Sequence, residues 1–145
     1  MGGFYREREM DSLSPEERSI RMSLVRSKDT QPELFVRKLV HRMGFRYRSH
    51  RRDLPGHPDM VFASRGKIIF VHGCFWHRHG KCEYTRWPKS RLSFWKPKLE
   101  QNHARDKRNR RALAKLGWRV LVVWECQLKF PDKVAEKIYR FVPNE

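Results

Sequence analysis

Acidic residues are scarce in this chain. Asp and Glu number 16 against 33 Lys and Arg, which leaves a formal charge of +17 with histidine neutral. Such an excess strains the compact state and invites a polyanion. Cysteine is just as sparse, with Cys74, Cys82 and Cys126 making an odd total of three. No signal peptide precedes them, so a reducing cytoplasm is the default compartment, and metal ligation competes with plain buried thiols as their role. No stretch reaches the roughly 20 apolar residues that a membrane span needs. Gly2 does not open a myristoylation signal, because Arg6 lies where Ser or Thr is wanted. Internal repeats and a linker between domains are also lacking.

What remains suits one globular domain. The 145 residues are 39% apolar and 34% charged, with five tryptophans and nine phenylalanines. That is enough to bury a core. The positive charge gathers in Arg6–Arg8, Arg37–Arg52, Arg86–Lys98 and Arg105–Lys115. DNA or RNA fits it, since neutralised phosphates release counterions. A ribosome-associated structural protein, or merely a basic surface, satisfies the charge alone.

Residues 1–18 read as a flexible basic arm and the start of a first helix, and residues 19–145 as a single domain. Ser14-Pro15-Glu16-Glu17 is a helix start, with Ile20, Leu24 and Val25 as its apolar side. Thr30-Gln31-Pro32-Glu33 repeats the signal, followed by the stripe Val36, Leu39, Val40 and Met43 and a stop at Gly44. Phe45–Arg48 alternates like a short strand. Met60–Phe62 and Lys67–Val71 read as a hairpin about Ser64-Arg65-Gly66, with Asp59 and Val71 at matching ends. Residues 72–90 are irregular. A long helix covers Lys98–Leu116 or begins earlier, near Ser93, with Leu99, Leu113 and Leu116 facing the core. Arg119–Trp124 is a buried strand, and Pro131 opens a last helix with Val134, Ile138 and Phe141 inward. The order is an α/β layer pattern around a mixed sheet flanked by helices.

Three soft or borderline ligand types crowd into the nine residues Cys74–Cys82, and Cys126 follows the last strand. A Cys3His tetrahedron of Cys74, a histidine, Cys82 and Cys126 suits a structural Zn²⁺ with no open position. Spacing does not choose between His77 and His79. Buried free cysteines are the plainer alternative.

The candidate chemistry is carboxylate and histidine. Asp59 heads a strand after a proline, where a nuclease needs a carboxylate to fix Mg²⁺; a turn carboxylate is the alternative. The Val71 carbonyl faces the same spot if the hairpin register holds. His72 and His77 lie just beyond, and either can activate water or orient a leaving oxygen. Asp106 falls near the core stripe of the long helix with Asn102 and His103; it can instead pair with Arg105, Lys107 or Arg110. Glu33 enters a core-facing stripe, although capping explains it. Phe75-Trp76 can wedge between bases or anchor the loop.

Thr30-x-x-Glu33, Leu54-Pro-Gly-x-Pro-Asp59, Val71-His-Gly-Cys-Phe-Trp-His77 and Val123-Trp-Glu-Cys126 occur in this order. With them the chain resembles the very short patch repair (Vsr) DNA mismatch endonucleases, from about Ser19 to the C-terminal helix. The resemblance implies a restriction-endonuclease-like fold. It implies nicking 5′ to the T of a T·G mismatch left by deamination of 5-methylcytosine. It also implies two catalytic Mg²⁺ ions, with Asp59 and the Val71 carbonyl as ligands, His72 and His77 catalytic, and His77 the water-activating base. Asp106 orients a histidine or a water, and Glu33 supports the site. His79 joins Cys74, Cys82 and Cys126 on zinc, while Phe75 and Trp76 intercalate and Met22 wedges from the opposite side. The implied setting is double-stranded DNA carrying a T·G mismatch, a monomer in the bacterial cytoplasm at the nucleoid, and possible contact with mismatch-repair proteins. The family's histidine run departs here to His77-Arg78-His79-Gly80-Lys81, one residue longer before Cys82, and its usual threonine is Val71. A related nuclease of restriction or defence specificity, or a non-catalytic zinc-stabilised DNA-binding module, are the alternatives.

Overall fold

The computed structural model describes residues 30–80 and 82–143. The N-terminal arm, the helix expected after Ser14 and the Met22 wedge lie outside the described residues. Helix α1 (Gln31–Arg42) starts where the sequence signals it: the Thr30 hydroxyl accepts a hydrogen bond from the Glu33 N–H at 3.4 Å, and Pro32 sits in the first turn. Gly44, at φ 83°, turns the chain out of it.

The first strand, β1 (Arg48–Ser49), falls later than Phe45–Arg48. The Phe45 N–H is still tied to the helix end through the Val40 carbonyl, and Phe45 and Tyr47 pack on the core instead. Strands β2 (Met60–Phe62) and β3 (Lys67–His72) form the expected hairpin, with Met60 opposite Ile69 and Phe62 opposite Lys67. Gly66 closes the turn at φ 67°, a conformation that favours glycine. A single helical turn, α2 (Cys74–His77), follows β3 directly.

Helix α3 (Leu92–Lys115) runs for 24 residues and carries Pro97 inside its second turn, where the ring removes one ladder hydrogen bond. Its end corrects one expectation. Leu116 is 62% exposed, not core-facing. Leu116 is the cap residue, its N–H still on the Ala112 carbonyl, and Gly117 at φ 94° with the Trp118 N–H on the Leu113 carbonyl then forms a Schellman-type cap that turns the chain away and leaves Leu116 uncovered at the helix end. Strand β4 (Arg119–Trp124) then pairs parallel to β3, from Lys67 opposite Arg119 to His72 opposite Trp124. Helix α4 (Pro131–Phe141) closes the described chain with Val134 and Ile138 buried and Phe141 half-buried.

The sheet order is β1-β2-β3-β4, antiparallel except for the last pair. One face carries Met60, Phe62, Ile69 and Val123 against Val36 and Val40 of α1 and Val134 and Ile138 of α4. The other carries Val61, Ile68 and Phe70 against Leu113 of α3. Both faces are covered, as a parallel pair demands. The consequence for function lies at one edge: β3 and β4 end side by side, so Gly73-Cys74 and Glu125-Cys126 emerge together.

Candidate active site

The four metal-type ligands are assembled from those strand ends. Cys74 follows β3, Cys126 follows β4, and the intervening loop returns His79 and Cys82 so that their ligand atoms lie within 4.8 Å of one another. Arg78 adopts a left-handed conformation at φ 55°, which turns the chain and lets the His79 N–H reach the Cys74 carbonyl. His79 Nδ1 then stands 3.7 Å from Cys74 Sγ and 3.4 Å from Cys126 Sγ. An S···N edge of a zinc tetrahedron is about 3.6 Å, given typical Zn–S and Zn–N lengths. The donor set therefore fits a four-coordinate structural zinc. Burial pushes the Cys74 and Cys126 thiols up, so both stay protonated unless a cation draws the proton off. His79 is further fixed by stacking on Trp124 at 4.2 Å, with 9° between the rings.

His77 points elsewhere, which separates the two histidines that spacing left equivalent. Its Nδ1 lies 2.5 Å from Asp106 Oδ2. Helix α3 holds it there from one face: Asn102 Nδ2 donates to the Trp76 carbonyl at 3.4 Å, and His103 Nδ1 lies 3.3 Å from the His77 carbonyl. Burial opposes the Asp106 charge, but the His77 hydrogen bond above all, with the two imidazoles and Arg105 beside it, prevails and holds its carboxyl below the usual range. His72, 6% exposed, stacks on His77 at 3.9 Å with 7° between planes. Burial first, then His77 and Arg110, lower its pKa to about 3 against the pull of Asp106. His72 is therefore neutral at ordinary pH. The nitrogens of His72 and His77 and the Asp106 carboxylate come within 4.8 Å. A metal ion cannot lie in the planes of two parallel rings at once, so this trio suits proton transfer better than ligation.

The third group joins Asp59 to Glu33. Asp59 is 9% exposed and Glu33 2%. Asp59 Oδ2 accepts from the Val71 N–H at 2.6 Å. The contact thus runs through the Val71 amide; since the N–H and C=O of one strand residue project to the same edge, the Val71 carbonyl opens to that side too. Burial, then the neighbouring Glu33 carboxylate, raise the Asp59 carboxyl well above its ordinary value, against the Val71 N–H and Arg37. Two carboxylates buried together call for a cation or a proton between them. Sequence reading missed two residues here. Arg37 Nη2 sits 2.6 Å from Glu33 Oε2, and His50 Nε2 sits 3.0 Å from the same oxygen. Arg37 was legible as an i,i+4 partner of Glu33; nothing local marks His50.

Phe75 is 3% exposed and packs with Trp95 and Leu99, while Trp76 is half-buried beside them. In this state Phe75 anchors the loop. Near this loop the outward-facing aromatics are Trp87 and Phe94; Phe130 and Tyr139 are exposed elsewhere. Arg78 stacks over Trp87 at 3.9 Å and also donates to the Phe75 and Thr85 carbonyls; Arg91 lies 4.8 Å over the Phe94 ring.

A mixed sheet covered on both faces, with Asp59 before β2 and Glu33 of α1 buried together beside the end of β3, is a restriction-endonuclease-like fold. A homing endonuclease catalytic domain shares it with a TM-score of 0.56 and 24% identity, over 78% of this chain and 94% of that chain. Residues 10–84 match the family described as DNA mismatch endonuclease Vsr. A Type II nicking enzyme of Xanthomonas oryzae pv. oryzae is 59% identical over 81% of this chain and 86% of its own length. A Type II nicking enzyme of Neisseria meningitidis serogroup A is 40% identical over 91% of this chain and 94% of its own length. The DNA mismatch endonuclease Vsr of Escherichia coli is 39% identical over 83% and 76%. The chain belongs to the Vsr family of DNA nucleases. Among the described residues no helix is long and apolar enough to cross a membrane.

Proposed function

We propose that this chain nicks one strand of double-stranded DNA by divalent-cation-dependent phosphodiester hydrolysis, 5′ to the T of a T·G mismatch. The observation that carries the chemistry is the convergence of three groups at the ends of β2 and β3: Asp59 on the Val71 amide, His72 stacked on His77, and His77 bonded to Asp106. Asp59 and the Val71 carbonyl would hold Mg²⁺, with Glu33 behind them. Magnesium supplies charge neutralisation at the scissile phosphate and eases deprotonation of water. His77 gives its Nδ1 proton to the bond with Asp106, which leaves Nε2 as the acceptor for the proton of the attacking water. Neutral His72, stacked on His77, would orient the leaving oxygen; its Nδ1 is buried and has no hydrogen-bond partner among the described residues. Cys74, His79, Cys82 and Cys126 would hold zinc and take no part in the chemistry. Phe75 and Trp76 would intercalate beside the mismatch, which requires Phe75 to leave its packed position; a mismatch supplies the deformability. One cut needs one active centre, so a monomer acting at the bacterial nucleoid suffices, with mismatch-repair proteins as candidate partners.

A nuclease of another specificity, serving restriction or defence, is favoured by a separate observation. Several relatives are described as Type II nicking enzymes, and the outward Arg78–Trp87 and Arg91–Phe94 pairs lie in the segment where matching to the familiar pattern is loosest. Duplexes identical except for T·G or C·G, with Mg²⁺ or EDTA, divide the readings. A Mg²⁺-dependent nick 5′ of the mismatched T, lost in Asp59→Ala, supports mismatch nicking. Equal cutting of both duplexes keeps the nuclease and moves its target. Zinc-replete protein that binds tightly in several sequence contexts and never cuts would refute the catalytic reading.

A further inference from the structure

The Glu33–Asp59 pocket already contains a cation belonging to the chain. Arg37 lies one turn after Glu33 on α1, and its Nη2 is 2.6 Å from Glu33 Oε2. The same nitrogen is 2.6 Å from His50 Nε2. That ring nitrogen is also 3.0 Å from Glu33 Oε2, so guanidinium, imidazole and carboxylate close a triangle. His50 Nε2 is thereby enclosed by Arg37 and Glu33, although Glu33, His50 and Asp59 present ligand atoms within 4.8 Å of one another. His50 also holds a left-handed backbone at φ 53°, uncommon for a residue with a side chain, immediately after the edge strand β1. That conformation and the Arg37 contact together make His50 a brace.

We infer that Arg37, braced by His50, occupies the second cation position of this pocket, so that the chain works with a single catalytic divalent ion. The inference rests on reading Asp59 as a cation ligand. Charge supports it. Glu33 and Asp59 bring two negative charges and Arg37 returns one. A single divalent ion and one DNA phosphate then leave the pocket neutral. A second divalent ion would leave two positive charges in a site whose carboxylates are almost fully buried, which is expensive. Arg37 is also near enough to Asp59 for its charge to act on that carboxyl. Glu33 becomes a positioning residue for the guanidinium, and the two-ion expectation drawn from the family resemblance gives way to one ion plus one arginine.

The test is a Mn²⁺ titration read by electron paramagnetic resonance. It uses the full chain with zinc already bound, alone and in complex with an already nicked T·G duplex. Wild type should take up about one Mn²⁺ per chain, since Mn²⁺ accepts the same oxygen ligands as Mg²⁺. Arg37→Ala should raise this to about two, and Arg37→Lys, which keeps the charge, should leave it at about one. Zinc content and circular dichroism establish that each variant is folded. Two Mn²⁺ ions on wild type overturn the inference even if Arg37→Ala does not fold. A folded Arg37→Ala protein that stays at one ion removes Arg37 as the cause and overturns it as well. The underlying reading fails differently: wild type then takes up no Mn²⁺, or its Mn²⁺ persists undiminished in Asp59→Asn.

Discussion

Asp106→Asn isolates the histidine pair from everything else in the molecule. Asp106 and His77 meet at 2.5 Å in a half-buried setting. A hydrogen bond to a charged group of this kind contributes about 1.5–3 kcal/mol, or roughly tenfold to a hundredfold in an equilibrium. The larger effect is on the proton. Carboxylate can only accept, so it holds the proton on His77 Nδ1 and leaves Nε2 basic. An asparagine turned to donate its NH2 to Nδ1 moves the proton to Nε2 and removes the base. The nicking rate should therefore fall by about 10²–10⁴, the usual worth of a positioned general base. Duplex affinity should stay within about threefold, because phosphate contacts come from the basic segments. Single-turnover nicking and a parallel binding titration read the two quantities separately. A rate loss under about tenfold, or an equal loss of affinity, would refute the assigned role. Because the folded carboxyl is held below its ordinary value, the stability it contributes is complete above about pH 4 and is lost as pH falls through that lowered value, so neutral-pH assays are not confounded.

Three other outcomes follow from the same geometry. Asp59→Asn should abolish nicking yet raise the melting temperature of the metal-free protein, because a buried carboxyl beside Glu33 costs about 1.4 kcal/mol for each unit its pKa is raised; an unchanged or lower melting temperature contradicts the strained pair. His72 binds its proton near 6.5 when unfolded and near 3 when folded, so it should drain stability as pH falls across that window, by up to about 1.4 kcal/mol per pH unit; urea titrations at pH 6 and pH 4 should show a steeper loss in wild type than in His72→Gln. Cys126→Ser should lower zinc content and expose the loop after β3 to protease, while α1 and α4 keep their packing, since their core is built of other residues; global unfolding at room temperature would mean the zinc cluster supports more than the loop.

Much of this arrangement is legible in the sequence because its signals are local. The capping residues Thr30 and Glu33 place α1, the turn at Gly66 pairs β2 with β3, and the crowding of Cys74, His79 and Cys82 announces a metal-type cluster. What escaped depends on three-dimensional closure. His77 and His79 are equivalent by spacing and differ only because Arg78 turns the chain between them. His50 reaches Glu33 across a gap in sequence that carries no period. Phe75 has the composition of a wedge, and its packing against Trp95 appears only when α3 is laid across the loop. Leu116 obeys the helical period, but the chain turns away at Gly117 and leaves it uncovered.

The parallel pairing of β3 with β4 divides the protein into a working end and an idle end. Histidines, thiols and carboxylates gather where the two strands finish. Where they begin, Gly66 and Gly117 turn the chain in space that an added Cβ would leave uncrowded, joined by the Arg119 N–H on the Gly66 carbonyl. Both glycines hold left-handed backbone, so an addition at this end has to keep them and fall beside them. A fluorophore, a targeting module or a second DNA-binding unit grafted beside Gly66 or Gly117 would ride on the side of the sheet remote from the cut.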